Sequence, residues 1–91
     1  MSVTLRLPTV LAKNAGCQTV HEAKGATVGD VVANVAERFP DLGPRLRDAK
    51  GEPYPYVIFY LDDEDIRFQQ GFRTPVADGA EIVVVPAIAG G

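Results

Sequence analysis

Two glycines, Gly90 and Gly91, close the sequence, and no other residues in it are better suited by type and position to chemistry. With glycine at about 7% of residues, such a pair arises by chance in roughly 0.5% of chains, so it calls for a chemical reading. Glycine has no β-carbon, so the pair can lie in a narrow channel and bring a backbone carboxyl close to a nucleotide phosphate, where a bulkier residue is excluded. Beyond Pro86 the chain continues Ala87-Ile88-Ala89-Gly90-Gly91. At about 3.3 Å per residue this stretch reaches roughly 15 Å, enough to carry a carboxylate from a folded body into another protein's active site. A frayed end with no role is the competing reading of the same residues.

Few other side chains compete. His21 is the only histidine and Cys17 the only cysteine, so a zinc site or an iron–sulfur cluster lacks its usual ligand set. On a strand, the four-residue spacing of Cys17 and His21 puts both on one face as nucleophile and base, but no third group nearby in the pattern orients the base. A half-exposed cysteine and a solvent-facing histidine account for the pair more simply. The run Asp62-Asp63-Glu64-Asp65 lacks the length, central glycine and distal glutamate of a calcium loop, and reads as a solvated hairpin turn able to face a basic partner. Gly25 and Gly29 stand four apart without the Lys-Ser/Thr of a phosphate loop. We therefore assign no catalytic residue and no metal site, and expect no bound cofactor.

The elements that must position the tail are set by periodicity. Val3, Leu5 and Leu7 alternate with Thr4 and Arg6, which predicts a first strand ending at Pro8. After a turn around Asn14-Ala15-Gly16, residues 18–24 read as a second strand with Val20 as its inward anchor. Thr27 and Asp30 have the form of a helix start, and Val28, Val31, Val32, Val35, Ala36 and Phe39 recur at helical steps until Pro40. Residues 41–55 form a crossover tied down by Leu42 and Leu46, with a short helical turn. Residues 56–61, six apolar or aromatic side chains in a row, predict a central strand. Ile66-Arg67-Phe68 suits a short strand, and Asp78-Gly79 signals a tight turn before a last strand from Glu81 to Pro86. If Val57, Phe59 and Leu61 face inward with Ile82 and Val84, then Ile58, Tyr60, Val83 and Val85 form an outward apolar patch beside the tail. Such a patch suits partner binding, although cover by the crossover explains the same residues.

Ninety-one residues, 46% of them hydrophobic, fit one domain with one core. So short a chain lacks the depth for a large enclosed pocket, which favours a binding or carrier module over an enzyme. Nine Lys+Arg against twelve Asp+Glu leave a net charge of −3 with no basic cluster, so no nucleic-acid or anionic-membrane partner is expected. No apolar run approaches the roughly 20 residues of a membrane span, and the first residues lack the form of a signal peptide. With one cysteine and no internal disulfide, a cytoplasmic location is expected.

The segments VIFYLDDEDIRF (57–68) and DGAEIVVVPAIAGG (78–91), with weaker matches at LRLPTVL (5–11) and ATVGDVV (26–32), resemble the MoaD/ThiS sulfur carriers, and among them the CysO type. The resemblance covers nearly the whole chain. It implies an α+β, ubiquitin-like β-grasp fold: a mixed sheet of four to five strands with one main helix on one face, residues 1–86 forming the domain and 87–91 a flexible tail. It further implies that Gly91 is adenylated by an ATP-consuming adenylyltransferase/sulfurtransferase related to the ubiquitin-activating enzymes and converted to a thiocarboxylate. Gly90, Ala89 and Ile88 then provide tail access. The ending Pro86-Ala87-Ile88-Ala89-Gly90-Gly91 resembles the CysO ending more than the PPxxGG of molybdopterin synthase small subunits. That points to an acceptor enzyme such as a cysteine synthase, with the molybdopterin, thiamin and thiosugar pathways as other destinations. A carrier of this kind is a co-substrate, monomeric when free, and not an enzyme. The rival readings are a ubiquitin-like modifier joined to lysine through Gly91, a molybdopterin synthase small subunit, and a small enzyme built on Cys17 and His21.

Overall fold

A computed structural model describes residues 2–86. β1 (Val3–Arg6) forms as its alternation predicts, with Val3 and Leu5 buried, and Leu7 just past its end is buried as well. Pro8 then opens a short helix, α1 (Thr9–Ala12), which the sequence reading did not anticipate, ahead of the expected turn around Asn14-Ala15-Gly16. Its buried Leu11 and Ala12 anchor the connection, and turns lead on to β2 (Val20–Ala23).

β2 corrects one expectation. Val20 is not the inward anchor but lies 45% exposed, whereas His21 and Ala23 are buried. The charge on Glu22 decides the face: a glutamate cannot enter this core, and period-two alternation then turns Val20 outward and the residues at 21 and 23 inward.

α2 (Val28–Arg38) starts at Thr27, whose Oγ1 accepts the Asp30 backbone N–H at 3.2 Å while the Asp30 carboxylate accepts the Ala26 N–H at 3.3 Å. The first bond satisfies a donor that the first turn leaves free, and the second ties the incoming chain at Ala26 to the helix start. Val28, Val31, Val32 and Val35 are fully buried against the sheet, and the helix ends at Arg38 before a partly buried Phe39. In the crossover, Leu42 and Leu46 are both fully buried, with α3 (Gly43–Leu46) between α2 and the following chain, as expected.

β3 (Val57–Leu61), β4 (Glu64–Asp65) and β5 (Glu81–Pro86) complete a five-stranded sheet in the order β2-β1-β5-β3-β4. β1 and β5 are parallel and the other pairs antiparallel, so the sheet is mixed, with α2 on one face. The apolar run at β3 is therefore not central. β5 holds the middle, and β3 has only the two residues of β4 on its far side.

The acidic run divides. Asp62 (φ 48°) and Asp63 (φ 73°) make the hairpin turn, both in the left-handed region that aspartate tolerates, while Glu64 and Asp65 pair with β3. Ile66–Phe68 is a 3₁₀ turn rather than a strand. In a strand Ile66 and Phe68 would share a face, but Ile66 is 1% exposed and Phe68 85%. The Asp65 carboxylate accepts the Arg67 backbone N–H at 2.8 Å and so closes the turn. Gly79, with φ +83°, makes the predicted tight turn, and its N–H reaches the Ser2 carbonyl at 2.8 Å.

Candidate functional site

The two faces of the sheet differ in character. On the inner face Phe59 stands beside Val84, and Leu61 and Leu5 beside Ile82, all buried under α2. On the outer face the register places Tyr60 beside Val83 and Ile58 beside Val85. The four residues read as a patch are therefore brought together as two adjoining cross-strand pairs. Ile58, Tyr60 and Val83 are half-buried and Val85 is exposed. Leu42 and Leu46 draw the start of the crossover into the core beside α2.

Two neighbours extend this face that the sequence reading left out. Arg6 is in register with Val83 across β1 and β5, and Val20 with Arg6 across β2 and β1. One row of side chains thus runs Val20, Arg6, Val83, Tyr60, Asp65 across all five strands. Its charges are locally neutralised. Arg6 donates from Nε to the Glu81 carboxylate, and Arg67 donates from Nε and Nη2 to Asp65 Oδ2 at 3.0 and 2.7 Å. The Arg67 guanidinium, hydrogen-bonded to Asp65, holds the Asp65 carboxyl below the usual carboxylate range, and Asp65 in return raises Arg67. The row presents an apolar surface dotted with paired charges, a composition suited to a protein partner. The spacing D-x-R was the available signal for the clamp, whereas Arg6 and Val20 join the row only through strand pairing.

Pro86 ends β5 beside Val57, so the strand that carries Val83 and Val85 leads directly into the tail. Ile88, Ala89, Gly90 and Gly91 lie outside the described residues.

Cys17 and His21 are not brought together as a nucleophile and base. Cys17 precedes β2 in a left-handed turn (φ 63°) and is exposed. His21 is not solvent-facing, as the sequence suggested, but buried, with its ring edge-on to Phe39 at 5.2 Å. Its Nε2 lies 2.7 Å from the Gln18 carbonyl, which can only accept, so the proton sits on Nε2. Packing by the ring and this one bond explain how a histidine enters the core. Among the described residues no group of three or more His, Cys, Asp or Glu side chains could hold a metal ion, and no helix is long and apolar enough to cross a membrane.

Comparison with known proteins gives concordant results. A family model described as the ThiS family matches residues 5–91. The chain is 37% identical over 93 residues to a sulfur carrier protein, CysO, of Mycobacterium tuberculosis, covering 100% of both. Among solved structures it matches a chain of the Amycolatopsis orientalis BexX/CysO complex, with a TM-score of 0.90, 36% identity and coverage of 98% and 99%. It also matches small archaeal modifier protein 1 of Methanosarcina acetivorans, with a TM-score of 0.85, 25% identity and coverage of 99% and 96%. The architecture is the ubiquitin-like β-grasp, as expected from the sequence.

Proposed function

This chain belongs to the ThiS family, and from that membership we propose that it is a sulfur carrier that displays a reactive carboxyl at Gly91 and leaves the catalysis to its partners. The observation that carries the reading is the placement of β5: the strand contributes Val83 and Val85 to the apolar outer face and ends at Pro86, five residues before the end of the glycine pair in the sequence. Docking on the face holds the body while the tail enters the partner's site, which lowers the entropic cost of presenting the carboxyl.

The chemistry is that of an activated acyl group. A Gly91 carboxylate oxygen attacks the α-phosphorus of ATP, pyrophosphate leaves, and the acyl-adenylate is a good electrophile. A hydrosulfide nucleophile then adds to the carbonyl, AMP leaves, and a proton is lost to give the thiocarboxylate. The partner supplies the charge stabilisation for both displacements. Ile58, Tyr60, Val83 and Val85 form the docking surface, Gly90, Ala89 and Ile88 the slender approach. The likeness to CysO proteins favours delivery to an enzyme of cysteine biosynthesis, and a similar protein's complex with BexX supports action by docking.

Intact-protein mass spectrometry after incubation with ATP, a sulfide source and the host's activating enzyme tests the reading. A gain matching replacement of one oxygen by sulfur is expected, and deletion of Gly91 should abolish it while leaving the fold intact. No gain with an enzyme shown to be active on its own carrier would overturn the proposal. The likeness to small archaeal modifier protein 1 keeps a second reading in view, in which the same activated Gly91 is passed to a lysine. Lysine-linked adducts in extracts of the host would favour it.

A further inference from the structure

Among the described residues, two of the large hydrophobic side chains left most exposed, Val10 (59%) and Tyr56 (53%), border a single groove. It is lined chiefly by Val10, Arg45, Tyr54, Tyr56, Val57 and Pro86, and its volume is about 180 Å³. That is below the roughly 300–1,000 Å³ of small-molecule sites, so its fitting guest is a side chain. One wall is built in advance. The Tyr54 N–H donates to the Leu46 carbonyl at 3.0 Å, the Val57 N–H donates to the Tyr54 carbonyl at 3.2 Å, and the Tyr54 and Tyr56 rings meet edge to face at 5.3 Å. A wall held in this way has little freedom left to lose on binding.

Charge defines the guest further. Arg45 is the only charged residue of the lining, and among the described residues it makes no ion pair. Tyr54 also lines a second cleft, of about 580 Å³, which contains Arg47, again without an ion pair among the described residues. The acid of that cleft, Asp48, is engaged in its own loop, where Oδ1 accepts the Lys50 and Glu52 backbone N–H groups at 2.8 and 3.0 Å. Two guanidinium groups thus stand in the two clefts that Tyr54 joins, a setting complementary to carboxylates. The groove also borders the outer face. Val57 is in register with Pro86, the last residue of β5, and the next pair along is Ile58 with Val85. An enzyme docked on the outer face therefore has the groove at the edge of its footprint.

We propose that this groove is a second docking point for the enzyme that activates Gly91: an acidic segment of that enzyme places one apolar side chain between Val10 and the Tyr54–Tyr56 pair and sets carboxylates against Arg45 and Arg47. The inference rests on the reading of Gly91 as the reactive terminus. Docking covers two exposed apolar side chains and gives both arginines counter-ions. The two surfaces then divide the work. The outer face, whose arginines are paired with Glu81 and Asp65, supplies apolar area, whereas the groove supplies charge and so discriminates among partners.

Methyl and aromatic nuclear magnetic resonance signals of the full chain, followed while the activating enzyme is added without ATP, give the direct test. The Val10 and Val57 methyls and the Tyr56 ring are expected to shift along with the Val85 methyls. In the activation assay, Tyr56→Ser and Arg45→Gln should each raise the half-saturating carrier concentration about 3- to 10-fold at unchanged maximal rate. Arg45→Lys, which keeps the charge, should stay close to the parent. Arg45→Gln combined with Arg47→Gln should flatten the rise of that concentration with added salt. Groove signals that stay still while Val85 moves would overturn the docking point, as would a parental value in Tyr56→Ser. A salt dependence unaltered in the double variant would overturn the acidic segment. Thiocarboxylate formation with a silent groove removes the docking point and leaves the carrier role standing. Groove shifts on adding the enzyme, without any thiocarboxylate once ATP and sulfide are supplied, do the reverse.

Discussion

At the scale of single residues, side chains that meet across the sheet matter more than those adjacent in sequence. Val85 stands on the outer face near the end of β5, paired with Ile58, and its exposure means that a charge there disturbs docking rather than the core. Val85→Asp should raise the half-saturating carrier concentration for the activating enzyme by about tenfold, the equivalent of roughly 1.4 kcal/mol. Far-ultraviolet circular dichroism should be unchanged, and an unchanged assay would remove the outer face from the docking surface. Asp65 illustrates a charge whose work is local. Its carboxyl is held below the ordinary carboxylate value of about 3.9 by Arg67, so it stabilises the fold fully above about pH 4, and the contribution disappears as pH falls through its lowered native value. Asp65→Asn should therefore be less stable than the parent at pH 7, and the two melting temperatures should converge on acidification below pH 4. A gap that widened instead would show that the carboxylate is not stabilised by its partner.

At the scale of elements, α2 is set by its first turn and its buried face together. A β-carbon built on Gly25 would stand 2.7 Å from both the Asp30 Cβ and the Val31 backbone nitrogen, closer than real contacts allow. Gly25→Ala should thus push the incoming chain off the helix start and cost about 1–3 kcal/mol in urea unfolding. Loss of the cap in Thr27→Ala should cost about 1 kcal/mol. A Gly25→Ala chain as stable as the parent would mean that the approach to α2 is looser than its geometry. β2 shows where element reading fails. Taking Val20 as the anchor turned the strand inside out, although Glu22 two residues later already required the opposite face. That Glu22 turns position 21 inward was legible, but how a histidine is accommodated there was not, because its carbonyl partner at Gln18 and its ring partner at Phe39 come from two separate segments.

At the scale of the whole molecule, the parallel pairing of β1 with β5 joins the two ends of the domain at the centre of the sheet. Each of these strands is flanked on both sides, whereas β3 is backed by only two residues of β4. Native-state hydrogen exchange should accordingly be slowest in β1 and β5, and faster in β4 and in the turns between α1 and β2. Greater protection in β3 than in β5 would contradict this order. The same central strand ends at Pro86, so the most firmly held element is also the one from which the tail departs.

Much of the protein was determined locally. Alternation in β1 and β5, the Thr27–Asp30 cap with its valine stripe, and the Asp78-Gly79 turn each depend on neighbours a few residues away, and each formed where the sequence placed it. The outward side of Ile58, Tyr60, Val83 and Val85 was legible for the same reason, since period two needs no partner. Tertiary structure alone decided that β5 rather than the more apolar β3 is central, that Arg6 and Val20 extend the outer row, and that Val10, Arg45 and Tyr56 meet at Pro86. Strand order and grooves arise from contacts between residues tens of positions apart, and hydrophobic pattern specifies which face a side chain takes but not which strand it will lie beside.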